Sequence, residues 1–356
     1  MSKVLAILME PAQYTLDRNR LVYDPGRIDY VYLHAESAAS DVQAAALFSS
    51  TGLLHKIRVL QKILRRYDTV IINGYNTLEF ILLWTLNLFY RRSIGIESDT
   101  PLRIPKSCLK KIVKWIYLHI IFAPRWIYGL AGGTKSHMQL FMHYGMPEQR
   151  VFLMPMVIDN SKFNNPHHAS PENDNVFRFL YVGRLVPCKG LETLLEAFSK
   201  LHESLPLKTE LILVGGGEQE ADLKDVWQNV DGISFVGKKY GNNLIEFYRR
   251  GNCLVLPSKT EPWGLVVNEA MAAGLPVIVS DSVGAQWDLV ESKETGIIFP
   301  TGDVDALYAA MKTLAENKTL CHRYGENARH LLNQYWNFDL YRKCLDNFLT
   351  KTTGKK

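Results

Sequence analysis

A chain of 356 residues, 47% hydrophobic and 22% charged, is too long for one compact core and too balanced for a disordered or fibrous protein. Its longest apolar run, Leu78 to Tyr90, has thirteen residues including Glu79, whereas a membrane span needs about 20. The net charge of +5 is lopsided, with twenty Lys and Arg against twelve Asp and Glu up to Asn165, and twenty-one against twenty-four beyond it. A basic first half suits an anionic partner, either a membrane surface or a phosphorylated substrate, and no nucleic-acid motif accompanies it.

Five scattered cysteines, Cys108, Cys188, Cys253, Cys321 and Cys344, form no CxxC pair. That excludes a disulfide framework and a zinc site and makes the cytoplasm the default compartment. The stretch Met1 to Leu8 is short, lacks a small-residue cleavage site and is closed by Glu10, so it reads as a buried strand rather than a signal peptide.

In chain order, Val4–Leu8 and Tyr30–Leu33 are strand-like, and His55 to Arg66 is a basic amphipathic helix. Thr69–Ile72 is a strand ending at the turn Asn73-Gly74, and Ser93–Ile96 is another, closed by Glu97-Ser98-Asp99. Lys106 to Tyr128 reads as helix with a break at Pro124. Gly129 and Gly132-Gly133 read as turns, Thr134–Tyr144 as helix and Val151–Met154 as strand. The Asn-, Pro- and His-rich run from Asn160 to Asn175 is the expected linker. Beyond it strands (Phe179–Val182, Glu210–Val214, Ile233–Val236, Cys253–Leu256, Pro276–Ser280) alternate with helices (Leu191–Leu201, Glu220–Gln228, Asn243–Arg250, Leu265–Ala273). Nearly all-apolar strands in such alternation mean a parallel sheet covered on both faces, so ligands are expected at the carboxyl ends of the strands.

Three strand-to-helix loops carry unusual chemistry. Val182 to Gly190 places Arg184 and Lys189 beside a helix start, an arrangement suited to a diphosphate and equally open to two surface cations. Gly215-Gly216-Gly217 lacks the third glycine of a dinucleotide fingerprint, with Glu220 in its place, and fits a plain turn or ligand contact. The third, Pro257 to Pro276, carries Glu261 in a loop, a helix opening at Gly264, and Glu269 among apolar neighbours in that helix. A carboxylate there is costly unless it accepts hydrogen bonds, which a sugar diol supplies. Asp303-Val304-Asp305 has the look of a metal motif but opens a helix, and N-capping by Asp303 is the expected job; no metal site is expected elsewhere.

Glu261 and Glu269 have the spacing of the Glu, seven residues, Glu motif, and the run resembles that of retaining GT-B glycosyltransferases, especially the large family four. Gly183-Arg184-Leu185 with Lys189-Gly190, the Gly215–Gly217 run, Phe235-Val236-Gly237 and Gly302-Asp303 match in order. The resemblance implies two Rossmann-like doubly wound α/β domains. They would be an acceptor domain over residues 1–165 and a nucleotide-sugar domain over 176–335, with a helix over 336–350 returning to the first. It also implies that Arg184 and Lys189 hold a donor diphosphate, Glu261 the sugar and Glu269 the ribose. Backbone groups near Gly264 and Leu265 would meet the phosphates and those near Val236 the base, with Gly183, Gly215 and Val266 also binding the donor. No cofactor beyond the UDP- or GDP-sugar substrate and no metal is implied.

The first half departs from the family pattern. Met9 to Tyr14 replaces a Gly-Gly loop, and Gly95 to Asp99 stands where many members carry a His. It is closer to bacterial surface-polysaccharide transferases, through Gly132 to Ser136 and Pro155 to Asn160, which implies a glycan or lipid-linked acceptor. Glu97 is either an acceptor-side residue or a helix cap. A UDP-sugar epimerase and a non-catalytic sugar-nucleotide sensor remain the alternatives. The two basic segments, His55–Arg66 and Arg103–Arg125, suit peripheral attachment to an anionic bilayer, or else simply turn their apolar faces to the sheet and their lysines to water.

Overall fold

The computed structural model describes residues 3–23, 27–33, 52–163 and 175–353. The chain divides into two compact units, Met1–Val157 with Phe338–Lys356, and Ile158–Asn337. Both are built from a parallel sheet of six strands among the described residues.

In the first unit the elements run β1 (Val4–Leu8), α1 (Gln13–Val22), β2 (Ile28–Tyr32), α2 (Leu53–Arg66), β3 (Thr69–Asn73), α3 (Leu78–Tyr90), β4 (Ser93–Ser98), α4 (Cys108–Phe122), β5 (Ile127–Ala131), α5 (Lys135–His143) and β6 (Val151–Leu153). The sheet order is β2-β1-β3-β4-β5-β6. β1, VLAIL, is buried along its whole length, which is why its sequence is apolar on both faces. The thirteen-residue apolar run is α3, started by Thr77, whose hydroxyl accepts from the Phe80 N–H at 3.1 Å.

Two expectations for this unit fail. The helix expected over 106–128 stops at Phe122, and Ile127–Ala131 is a fully buried strand. Gly129 is therefore no turn but a strand residue against which the Phe141 ring lies; an added Cβ would sit 2.6 Å from that ring. Helix α1 was not anticipated because it turns Thr15, Asp17, Arg18 and Asn19 inward along with Val22, a pattern that hydrophobic periodicity does not register.

The second unit runs β7 (Val176–Val182), α6 (Leu191–Ser204), β8 (Lys208–Val214), α7 (Glu220–Trp227), β9 (Ile233–Gly237), α8 (Gly241–Arg250), β10 (Cys253–Leu256), α9 (Leu265–Ala272), β11 (Val277–Ser280), β12 (Gly296–Phe299), α10 (Val304–Glu316) and α11 (Lys318–Gln334). Its sheet order is β12-β11-β10-β7-β8-β9. Chain order reverses between β7 and β10, the place where doubly wound sheets open a crevice for ligands. The last helix, α12 (Phe338–Thr353), belongs to the first unit. There Phe348 packs edge-on to Tyr128 and Phe152, with ring centroids 5.7 and 5.6 Å away.

The expected linker is only partly a linker. Asn160–Lys162 forms a short turn in which Asn160 is buried and donates to the Leu332 carbonyl at 2.9 Å. Residues 164–174 lie outside the described residues.

Candidate functional site

The loops after β7, β8 and β10 are laced to one another by backbone. The Leu185 N–H donates to Gly216 O at 3.1 Å and the Gln219 N–H to Leu185 O at 3.0 Å. Cys188 O accepts from the Lys259 and Thr260 N–H groups at 2.8 and 3.2 Å. Glycine makes this approach possible. A Cβ on Gly215 would lie 1.8 Å from Gly183 O, and one on Gly190, at φ +66°, would lie 2.3 Å from Pro257 O. The Gly215–Gly217 run is thus explained by loop packing, and it also edges an open cavity.

That cavity, of about 360 Å³, is lined by Gly183, Arg184, Gly215, Gly216, Lys238 and Tyr240 among others. Arg184 is exposed, and among the described residues no carboxylate pairs with it. Lys238, Lys239 and Tyr240 were missed by sequence reading, which stopped at Val236. Val236 lies in β9 and does not line the cavity; the signal lay in the Lys-Lys-Tyr immediately after the strand.

Lys189 and Glu261 meet as an ion pair. Their side chains are 13% and 12% exposed, so water screens the pair little. Beneath them Tyr181 is buried and donates to the Arg184 carbonyl at 2.7 Å. Burial, then the Glu261 carboxylate, raise the Tyr181 phenol well above its ordinary value. It therefore stays a neutral prop, and its hydroxyl would be 2.8 Å from any Cβ on Gly183. The backbone of Glu261 is pinned in turn, accepting from the Gly284 N–H at 3.1 Å.

Helix α9 opens at Gly264, in the left-handed region at φ 95°, with no side-chain cap. Its first-turn N–H groups, at Leu265 and Val266, are thus presented where a ligand anion is favoured. The helix is fixed from behind by the buried Trp263 indole, which donates to Asn268 at 2.8 Å and stacks on Trp336 at 5.5 Å. Glu269 is half-buried and not isolated. Its Oε2 accepts from the Tyr248 hydroxyl at 2.5 Å, and the Tyr248 ring is held edge-on by Phe163. Burial raises the Glu269 carboxyl to about 7, and the Tyr248 bond opposes that rise. Tyr248 was not foreseen; its position on the buried side of α8 was the available signal.

Asp303 caps α10, accepting from the Ala306 N–H at 2.9 Å, and Asp305 pairs with Lys200.

Glu97 sits one residue before the end of β4 and, among the described residues, caps no helix. Its Oε1 accepts from Arg18 at 2.6 Å and from the Tyr341 hydroxyl of α12 at 3.2 Å, and its Oε2 from Asn73 at 3.2 Å. Burial opposes the charge of Arg18, but Glu97 outweighs it and keeps the guanidinium protonated. Glu97 is part of a buried brace joining α1, β3, β4 and α12.

Residues 162–331 match the family model described as glycosyl transferases group 1. The capsular polysaccharide biosynthesis glycosyltransferase CapM of Staphylococcus aureus is 31% identical over 204 residues, covering 56% of this chain and 53% of that protein. The sulfoquinovosyl transferase SQD2 of Arabidopsis thaliana is 32% identical over 158 residues, covering 44% and 30%. The chain thus spans about half or less of the length of these relatives. The crystal structure of Anabaena HepE in complex with UDP superposes with a TM-score of 0.77 over 99% of this chain and all of that one, at 17% identity. That likeness is one of fold, and the fold is GT-B. Through residues 162–331, this chain is similar to the glycosyl transferases group 1 family.

Proposed function

We propose that the protein transfers a sugar from a UDP-sugar, or the GDP analogue, to a hydroxyl of a glycan or lipid-linked acceptor in surface-polysaccharide synthesis, with retention of configuration. The observation that carries this reading is the laced loop cluster at the sheet's point of reversal. It brings Arg184, the Lys189–Glu261 pair and the uncapped start of α9 to one edge of one sheet. Cations and helix N–H groups in a partly buried setting suit a leaving diphosphate. The names of the relatives support the choice of chemistry: HepE structures hold UDP and UDP-glucose, and CapM serves capsular polysaccharide synthesis.

In this reading Glu269 receives the ribose hydroxyls. Tyr248 occupies one side of the carboxylate and keeps the other turned to the ligand. Glu261 contacts the donor sugar, and Lys189 moves from Glu261 towards the phosphate when the donor binds. The acceptor oxygen bonds to the anomeric carbon as the bond to the diphosphate oxygen breaks, and the hydroxyl proton passes to that departing oxygen. Arg184 and Lys189 stabilise the charge that grows there, so they act more in the transition state than in the ground state.

The test is product analysis with a panel of UDP- and GDP-sugars and lipid-linked glycans. Proton NMR should show a new glycosidic bond with the donor's anomeric configuration. In Arg184→Ala and Lys189→Ala, kcat should fall more than the affinity for donor. Conversion of the donor sugar without acceptor would indicate epimerisation instead.

A further inference from the structure

The two basic helices of the first unit part company in the folded protein. In α2, Leu60, Ile63 and Leu64 are buried, so its apolar face belongs to the core. In α4 the buried residues are Leu118, Ile121 and Phe122, while Leu109, Ile112, Val113, Ile116 and Ile120 lie between 48% and 71% exposed. At 100° per residue those five fall within about 100° of arc, on the side away from Leu118. A stripe of this kind on an isolated soluble surface is unfavourable unless something covers it.

The charges around the stripe indicate what covers it. From Thr100 to Pro147 the sequence has no Asp or Glu but seven Lys and Arg. Lys110 and Lys111 stand in the first turn of α4, where the helix dipole disfavours cations, and no side chain caps that end. Lys106 is exposed just before it. Lys114 has a different job, donating to the Arg103 carbonyl at 2.9 Å and lying over the Tyr144 ring. Apolar side chains next to exposed lysines, uncapped N–H groups and a sequence without carboxylates from Thr100 to Pro147 match an anionic bilayer. Its headgroups would meet the lysines and the helix start, and its acyl boundary would take the stripe.

We infer that α4 is a membrane-docking surface for anionic lipid, lying along the bilayer with Leu109, Ile112, Val113, Ile116 and Ile120 inserted and Lys106, Lys110 and Lys111 at the headgroups. No helix among the described residues is long and apolar enough to cross a membrane, and this surface requires none.

The experiment is co-sedimentation of the full chain with phosphatidylcholine vesicles, with and without phosphatidylglycerol. Three proteins are compared: wild type, Lys106→Glu/Lys110→Glu/Lys111→Glu, and Leu109→Ser/Ile112→Ser/Val113→Ser/Ile116→Ser. All substituted side chains are exposed, and circular dichroism and thermal unfolding check that each variant is folded. Wild type should bind anionic vesicles and lose binding as salt rises. At roughly 1 kcal/mol per basic residue, the lysine variant should partition about a hundredfold less, and the serine variant should not bind. Three outcomes would overturn the inference. They are equal binding to neutral vesicles, unchanged binding in either variant, and a wild-type dimer that the serine substitutions dissociate with no effect of lipid. The vesicle assay contains no donor, so its failure leaves the proposed transfer reaction standing, and loss of UDP binding would leave this surface standing.

Discussion

At the carboxyl edge of the second sheet, three glycines press on backbone, while Gly183 faces the Tyr181 side chain. Gly215 faces Gly183 O, Gly190 faces Pro257 O, and Gly217 lies where a Cβ would come within 2.3 Å of Leu185 O. In the first unit, glycines press on side chains: Gly95 on Leu130 and Phe348, Gly129 on Phe141, Gly132 on Met156. Polar groups differ in the same sense. Arg184 and the start of α9 are presented outward, whereas Arg18, Asn73, Glu97 and Tyr341 bond to one another in the interior, with Arg18 Nε and Nη2 left without a partner among the described residues. One edge is a backbone scaffold that leaves cationic and N–H groups outward; the other is held together by side-chain packing.

The largest effect that tests this contrast is in the first unit. Glu97→Ala leaves the buried Arg18 guanidinium without its ion partner and should cost about 3–5 kcal/mol of stability. Affinity for UDP should be unchanged wherever the variant remains folded. Chemical denaturation and calorimetry check the two halves of the statement. If Glu97→Ala were as stable as wild type and lost only turnover, Glu97 would be an acceptor-side residue and the brace would be wrong.

A matched pair of glycine substitutions comes next. Gly215→Ala drives a Cβ into backbone and should cost about 1–3 kcal/mol, with loss of UDP binding. Gly95→Ala meets only Leu130 and Phe348, which can turn aside, and should cost about 1 kcal/mol with UDP binding intact. Equal effects on UDP binding would erase the distinction between the two edges.

The same contrast explains what was legible in the sequence. Arg184, Lys189, Glu261, Gly264 and Glu269 announced themselves because a backbone-built site needs particular residues at fixed offsets from strand ends. Tyr248, Trp263 and Trp336 did not, since a prop can come from any element that packs behind the site. Helix α1 was illegible because its buried face is polar, and the strand Ile127–Ala131 because it resumes the apolar run of the helix before it, although Pro124 marked the break. Glu97 was noticed as chemistry, but its partner Tyr341 lies 244 residues away, and no local pattern could reveal that its valences were already filled.

The smallest effect concerns pH. The folded carboxyl of Glu269, at about 7, lies above the ordinary carboxyl value of about 4.3. Its contribution therefore favours the fold below that ordinary value and is lost as pH rises through about 7. Thermal unfolding of wild type and Glu269→Gln should show the wild type losing ground to the variant between about pH 4 and pH 7. A pH-independent difference would mean that burial does not govern this carboxyl.

The central claim is that the second unit holds a nucleoside diphosphate through Glu269 on α9, and calorimetric titration of UDP into wild type and Glu269→Ala tests it most directly. Removing a charged acceptor of the ribose hydroxyls should cost about 1.5–3 kcal/mol, so the account predicts that UDP binds the variant roughly tenfold to a hundredfold more weakly. Equal affinity of UDP for both proteins would contradict it.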